Sequence, residues 1–362
     1  MPWNVTEDDL ESIAIGAGIL GTGGGGNPYL GKLRIRTLMA QGRSVQVVSV
    51  DELADDAVVI GVGGIGAPTV GIERLPRGTE PVEAVWALEA YAGVQADALV
   101  SVEVGGSNSI VPMIVAAYTG LPVVDADGMG RAFPEVQMTT YHIYGVSPTP
   151  AVLCDAHGQV AIFDRISDPR TLERMARVVT IEMGCRGDLA TPVMRAADLR
   201  RTGVLESLSL ARAVGEAVRE ARRAHGDPSQ AVLSVTGGLE IFRGKIVEVE
   251  RRTTRGFARG RVTLTGLGPY RGASMAIDFQ NENLIAWRNG QPVVTVPDLI
   301  CVLDMESGEP ITTELLRYGY RVTVLGIPCD PKMATSQALD YVGPGCFGYD
   351  VVYRPLRERL AV

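Results

Sequence analysis

Residues 121–142, LPVVDADGMGRAFPEVQMTTYH, concentrate side chains that can do chemistry. A short apolar run, Pro122-Val123-Val124, ends in Asp125 and Asp127, and Arg131, Glu135 and His142 follow. Carboxylates and an imidazole suit a divalent cation such as zinc, so Asp125, Asp127 and His142 are read as metal ligands. A bound ion would acidify a water molecule and polarise a substrate. Glu103 or Glu135 would then accept the proton as general base. Arg131 would grip a ring oxygen or a carboxylate with its fork of donors. Blander readings compete at the same positions. The D-x-D-G pattern is also a turn in which Asp bonds its own backbone. His142 lies in an apolar run, as a hydrogen-bonded core imidazole would, and Arg131 and Glu135 have the option of pairing with each other.

A second group of candidates is a glycine run, Gly21-Thr22-Gly23-Gly24-Gly25-Gly26-Asn27, ahead of a helix that opens at Pro28. Backbone N–H groups there, backed by the positive end of a helix, can form an anion nest. Gly24, Gly25, Gly26 and Asn27 are therefore read as substrate-binding, with a close-packed turn as the competing reading. The spacing fits neither G-x-x-x-x-G-K-[ST] nor a strand-borne G-x-G-x-x-G, which argues against a nucleotide or sugar-phosphate enzyme. The five cysteines are scattered with no C-x-x-C, so neither a disulfide framework nor a zinc finger is expected. Cys346, in the tight sequence GPGCFG, is the first choice for an alternative mechanism through a covalent thiolate. Histidines number three, so a metal site must draw largely on carboxylates or a thiolate.

A strand–helix–strand unit must position these groups. Residues 98–104 (ALVSVEV) read as a strand, Gly105-Gly106-Ser107-Asn108 opens a helix over 109–119, and a strand over 121–125 begins after Gly120. In a parallel βαβ unit both strand ends and the helix start face one edge of the sheet, where ligands bind. Glu103, Ser107, Asn108, Asp125 and Asp127 are thus expected within reach of one another, with Asn108 on the substrate.

Around that unit the N-terminal half reads as α/β. Thr6 and Asp9 form a capping box before a helix over 7–19; strands are expected at 44–50 and 57–62, and a helix over 80–92. Beyond Gly145 the pattern changes to a hairpin over 151–164, a helix from 169 to about 184 and another over 205–224. From residue 239 the hydrophobic period becomes two, as in antiparallel strands with one wet face. The expected fold class is α/β: a mostly parallel N-terminal domain over 1–166 carrying the site, and a β-rich α+β domain over 167–362. A content of 46% hydrophobic and 21% charged residues is enough to bury a core. The net charge of −8 without a basic patch argues against nucleic acid. No apolar run approaches the ~18 residues a membrane span needs, and no signal-like segment opens the chain, which points to the cytoplasm. A homo-oligomer is the default.

Several motifs together carry a family resemblance: GTGGGGNPYLG at 21–31, VEVGGSN at 102–108, DADGMGRAFPE at 125–135, NENLIA at 281–286, TVPDLICVLDMESGEPI at 295–311 and VGPGCFGYD at 342–350. Across nearly its whole length the chain resembles the DUF917 family of S-methyl thiohydantoin desulfurases and thiohydantoin desulfhydrases, which often accompany hydantoinase and oxoprolinase enzymes. The resemblance implies a small-molecule substrate and hydrolysis at C2 of a five-membered thiohydantoin ring, with release of a thiol or sulfide. Joined to the residues above, the expectation is metal-assisted water attack, with Glu103, Glu135, Arg131 or Cys346 catalytic. A non-catalytic, small-acid-binding subunit of a hydantoinase-type complex is the alternative.

Overall fold

The computed structural model describes residues 2–67, 70, 74 and 76–360. Its first layer is a sheet built from β1 (Trp3–Asn4), β2 (Gln46–Val48), β3 (Val58–Gly66), β4 (Ala98–Ser101) and β5 (Val123–Val124), after which β6 (Ala126–Asp127) turns away. β7 (Ala151–Cys154), β8 (Val160–Phe163) and β9 (Arg186–Arg195) complete it in the order β1-β2-β5-β4-β3-β9-β7-β8. β2, β5, β4 and β3 run parallel. All four residues of β4, Ala98-Leu-Val-Ser101, are buried, as expected of a strand covered on both faces. The helices α1 (Glu7–Leu20), α2 (Pro28–Ala40), α3 (Glu80–Ala92) and α4 (Val111–Thr119) surround this parallel part. The Thr6–Asp9 capping box opens α1, each side chain accepting from the other residue's backbone N–H.

The other flank of the sheet is antiparallel, because β9 inserts between β3 and β7. Residues 186–195 follow α5 (Pro169–Glu182), so the second half of the chain returns a strand to the first half's sheet. Hydrophobic periodicity assigns no element to this stretch. Next, β10 (Val204–Leu205) pairs with β6, and α6 (Ser207–Arg223) packs along α1 so closely that a Cβ on Gly16 would stand 1.7 Å from the Ala211 carbonyl oxygen.

The C-terminal layer is a seven-stranded antiparallel sheet: β11 (Leu239–Thr254), β12 (Phe257–Gly266), β13 (Ser274–Gln280), β14 (Glu282–Arg288), β15 (Gln291–Thr295), β16 (Leu299–Asp304) and β17 (Arg321–Ile327). It curls, so that Asn283 of β14 donates 2.9 Å to the Ile300 carbonyl of β16. Its inner face buries Phe242, Ile246, Val262, Ile277, Ala286, Val302 and Val324. The alternating pattern suggests one strand over 276–286, but Asn281 breaks it into β13 and β14 with a φ of 58°. Asn tolerates this left-handed conformation better than most residues. That turn brings β14 and its first residue, Glu282, to the cavity described next.

Candidate active site

A cavity of about 570 Å³ lies where the two layers meet. Gly25, Gly26 and Asn27, the end of β3, Val102, Glu103, Ser107, Asn108 and the loop 133–136 form one side. Asp188 of β9 stands beside them, and Asn281, Glu282 and Glu314 close it from the C-terminal layer.

Glu103 follows β4 and is 4% exposed. Its Oε2 accepts from the Phe133 N–H at 3.0 Å, and its Oε1 accepts from the Asn108 side-chain amide. Asn108 is itself oriented by Gly64, whose N–H donates 2.7 Å to Asn108 Oδ1. This fixes the amide nitrogen toward Glu103. Burial pushes the Glu103 carboxyl up to about 8, against the lowering effect of the Asn108 and Phe133 hydrogen bonds. Glu103 therefore carries its proton at neutral pH.

Asp188 pairs with Gly64 across the β3–β9 ladder. The point where a Cβ on Gly64 would stand is 3.3 Å from Asn108 Oδ1 and 3.8 Å from Asp188 Oδ1. Glycine at 64 thus keeps open the gap between the Glu103–Asn108 pair and Asp188. Among the described residues the Asp188 side chain makes no hydrogen bond, although the residue is only 7% exposed. Burial raises it to about 7, with the Arg186 charge as the main opposing influence. A second buried acid faces the cavity across the glycine loop. Glu282 is 2% exposed; its Oε1 accepts weakly from Gly25 N–H at 3.4 Å and its Oε2 has no partner. Burial, reinforced by the repulsion that would arise if Glu103 ionised beside it, holds its pKa well above the ordinary carboxyl range.

The glycine run is a close-packed turn as well as cavity wall. A Cβ on Gly24 would fall 2.0 Å from Glu282 Oε1, and one on Gly25 2.3 Å from the Gly105 carbonyl oxygen. The carbonyls of Gly25 and Gly26 point at the start of the next helical segment and accept from Ser107 N–H at 2.9 and 3.1 Å. The carboxylate this loop contacts belongs to the protein itself. Gly25, Gly26, Asn27 and Asn108 line the cavity, whereas Gly24 lies under Glu282 and is not part of the wall. The Asn27 side chain caps α2 by accepting from Tyr29 N–H.

The expected metal ligands are corrected by their surroundings. Asp125 is the anchor of α6: its Oδ1 accepts from Leu208 and Ser209 N–H at 2.9 and 3.0 Å, and its Oδ2 accepts from the Ser209 hydroxyl. Asp127 realises the turn reading, its Oδ2 accepting from Val104, Met129 and Gly130 N–H at 2.8–2.9 Å. Its other oxygen is buried without a hydrogen bond, and burial raises the group to about 7. His142 faces Val146 O at 3.2 Å through Nδ1 and is a neutral core imidazole, driven down to about 4 by burial. None of the three lines the cavity. Among the described residues no three His, Cys, Asp or Glu side chains gather into a set that could hold a metal ion. These residues do not fit a zinc centre.

Of the expected catalytic residues, Glu103 and Glu135 reach the cavity. Glu135 is occupied by two amides, Gln137 Nε2 and, at 3.3 Å, Gln280 Nε2. Arg131 neither pairs with Glu135 nor faces a ligand. Fully buried, it donates to the carbonyls of Ala132, Pro297, Asp298 and Asn283 and to the Thr22 hydroxyl at 2.8–3.3 Å, and it stacks over Phe133. It is a staple between the two layers. Burial lowers its pKa to about 10, which leaves it charged. Cys346 is an exposed residue away from the cavity, with its Sγ 3.6 Å from Leu339 O and its thiol pKa raised by partial desolvation of the sulfur. A reactive thiolate needs the opposite shift.

Two comparisons bear on identity. A family model described as the S-Me-THD-like N-terminal domain matches residues 8–165, and its C-terminal counterpart matches residues 167–356. The chain belongs to the S-Me-THD-like family. A crystal structure of a protein from Chromobacterium violaceum superposes on it with a TM-score of 0.80 at 28% identity, covering 98% of this chain and 100% of that one. A search of curated proteins returned no match. Within this S-Me-THD-like fold, two of the acids at the cavity are ones the sequence reading passes over. Asp188 opens the apolar run Leu189–Val193, and a charged residue at the start of such a run was the available signal. Glu282 lies between Asn281 and Asn283 in NENLIA, three polar residues inside a stretch otherwise patterned as a strand.

Proposed function

We propose that this S-Me-THD-like protein hydrolyses an S-alkyl thiohydantoin at C2 with two of its own carboxyl groups. The family's name supports the substrate class. The observation that carries the chemistry is the pair Glu103 and Asp188, both facing one cavity on either side of Gly64, one protonated and one near its midpoint at neutral pH.

C2 of the ring is flanked by two nitrogens and bears the sulfur. Asp188, ionised, accepts a proton from water as the water oxygen bonds to C2. Glu103, neutral, donates its proton to the adjacent ring nitrogen, so no anion has to build up on that nitrogen as water adds. The tetrahedral adduct then collapses. The C2–S bond breaks, the hydroxyl proton returns to Glu103 as C2=O forms, and the thiolate leaves with the proton held by Asp188. The sum is S-methyl thiohydantoin plus water giving hydantoin plus methanethiol, with both acids restored. Arg186, on the same strand face as Asp188 and lining the cavity, is available for the ring's exocyclic oxygen.

The test is incubation of the purified protein with a 2-methylthio-imidazolone and quantification of the volatile thiol and the hydantoin. Equimolar release of both is expected. Binding of the compound without thiol release supports the non-catalytic alternative and overturns the hydrolase.

A further inference from the structure

The proposed chemistry uses one side of the cavity and leaves an acid on the other side without a task. Glu314 is 7% exposed and lines the cavity, yet both of its carboxyl oxygens are buried with no hydrogen-bond partner. The Thr312 hydroxyl stands close enough to favour the charged form of Glu314 but outside hydrogen-bonding geometry. Arg251, whose charge acts on Glu314, spends one terminal nitrogen on the Thr313 and Leu316 carbonyls, leaves its Nε without a partner and forms no ion pair with Glu314. The backbone around Glu314 is fixed. Thr313 N–H donates 2.8 Å to the Gly23 carbonyl, and its hydroxyl donates 2.6 Å to the Asn281 carbonyl. The acid is therefore held at the seam between the glycine loop and the β13–β14 turn. A buried carboxyl with two empty acceptors costs stability unless something completes it.

The rest of the wall indicates the sign of that partner. Among the described residues six carboxyl side chains line the cavity, Glu80, Glu103, Glu135, Asp188, Glu282 and Glu314, against three guanidinium groups, Arg34, Arg177 and Arg186. Arg177 is already paired with Glu173 at 2.7 Å, and Arg34 is tied to Tyr118 and the Arg77 carbonyl. Glu80 is satisfied by the Arg77 and Gly78 N–H groups, and Glu135 by two glutamines. Among the described residues Glu314, like Asp188, has no hydrogen-bond donor on either oxygen, but Asp188 is used by the proposed chemistry and has a basic residue of the wall, Arg186, two positions away on its own strand. The cavity is also several times the volume of a five-membered ring, so most of it holds whatever the ring carries.

Resting on the hydrolase reading above, we propose that Glu314 is a specificity-determining residue that receives a basic group at the end of the ring's C5 substituent, an alkylammonium or guanidinium. A cation there supplies the missing N–H donors and the compensating charge in one step. The apolar stem of such a substituent has Ile65, Val102 and Phe133 to run along.

The experiment measures kcat/KM for three S-methyl thiohydantoins that differ at C5: 4-aminobutyl, butyl and 3-carboxypropyl. The wild type is expected to prefer the aminobutyl over the butyl compound at least tenfold and to use the carboxypropyl compound least. In Glu314→Gln the aminobutyl value is expected to fall to that of the butyl compound. Should that variant not fold, acetylation of the substrate amine must abolish the preference in the wild type. A preference for the carboxypropyl compound, or an aminobutyl preference that survives Glu314→Gln or acetylation, overturns the assignment. If no compound is turned over, calorimetric titration with the three corresponding hydantoins separates the two ideas. Tighter binding of the aminobutyl hydantoin upholds the Glu314 subsite while the hydrolase fails, and equal binding of all three overturns the subsite.

Discussion

At the scale of single residues, the site depends on acids whose ordinary behaviour is changed by burial. Glu103 is kept neutral by the apolar wall, even though Asn108 and Phe133 hydrogen-bond to it in ways that favour its charged form. Asp188 is raised by burial too, to about 7, with the Arg186 charge opposing the rise and the Glu80 charge adding to it. This difference of environment sorts two carboxyl groups into acid and base, as pairs in other hydrolytic sites are sorted. Glu103→Gln keeps the shape and the Asn108 contact but has no proton to give; Asp188→Asn cannot accept one. Each is expected to lower kcat by roughly 10²- to 10⁴-fold, the usual worth of a positioned proton-transfer group. Single-turnover thiol release measures it, with unchanged circular dichroism as the folding control. The DADG motif draws the eye in the sequence because it concentrates charge, and the charge is real. What sequence cannot reveal is that backbone N–H groups consume it, since those N–H groups come from residues 104 and 208–209, distant in one case by more than eighty positions.

At the scale of elements, what was legible and what was not follow the range of the interactions. The capping box of α1, the parallel run of β3, β4 and β5, and the hairpin of β7 and β8 are set by local pattern, and local pattern identifies them. β9 is set by its partners: ten residues from the second half of the chain fill a gap between β3 and β7, and no local periodicity requires that. The β13–β14 turn has neither Gly nor Pro at its bend, only Asn281, so the strand pattern reads through it. Asp188 and Glu282 belong to these two elements, which is why both escaped notice while Glu103, on the local βαβ unit, did not. The role assigned to Asp125 is testable at this scale. As the cap of α6, Asp125→Ala is expected to cost about 1 kcal/mol of stability, within the range of lost N-terminal caps, and to leave thiol release per folded molecule unchanged. Chemical denaturation and turnover on the same sample check both. A collapse of turnover with intact stability would return Asp125 to the chemistry.

At the scale of the whole molecule, two layers with separate cores share one cavity, and Arg131 is the bolt between them. Its donors satisfy carbonyls at 132, 283, 297 and 298 as well as the Thr22 hydroxyl, so it holds the glycine loop, β14 and the segment after β15 in one arrangement. Arg131→Met fills much of the space but strands several buried acceptors. A loss of roughly 3 kcal/mol or more is expected, since each orphaned buried acceptor costs about 1–3 kcal/mol. The melting temperature of the variant, with and without bound hydantoin, measures it. An unchanged melting temperature would mean that the layers are joined elsewhere. No helix among the described residues is long and apolar enough to cross a membrane.

The most direct measurement is the pH dependence of kcat/KM for the S-methyl thiohydantoin. The active form needs Asp188 ionised and Glu103 protonated. The rate is therefore expected to climb as pH rises toward about 7, where Asp188 loses its proton, and to fall above about 8, where Glu103 loses its own. Removing Glu103 as Gln should erase the alkaline limb of whatever rate remains, and removing Asp188 as Asn should erase the acid limb. A profile flat from pH 6 to 9 in the wild type, or one whose limbs survive both substitutions, would contradict the two-carboxyl mechanism.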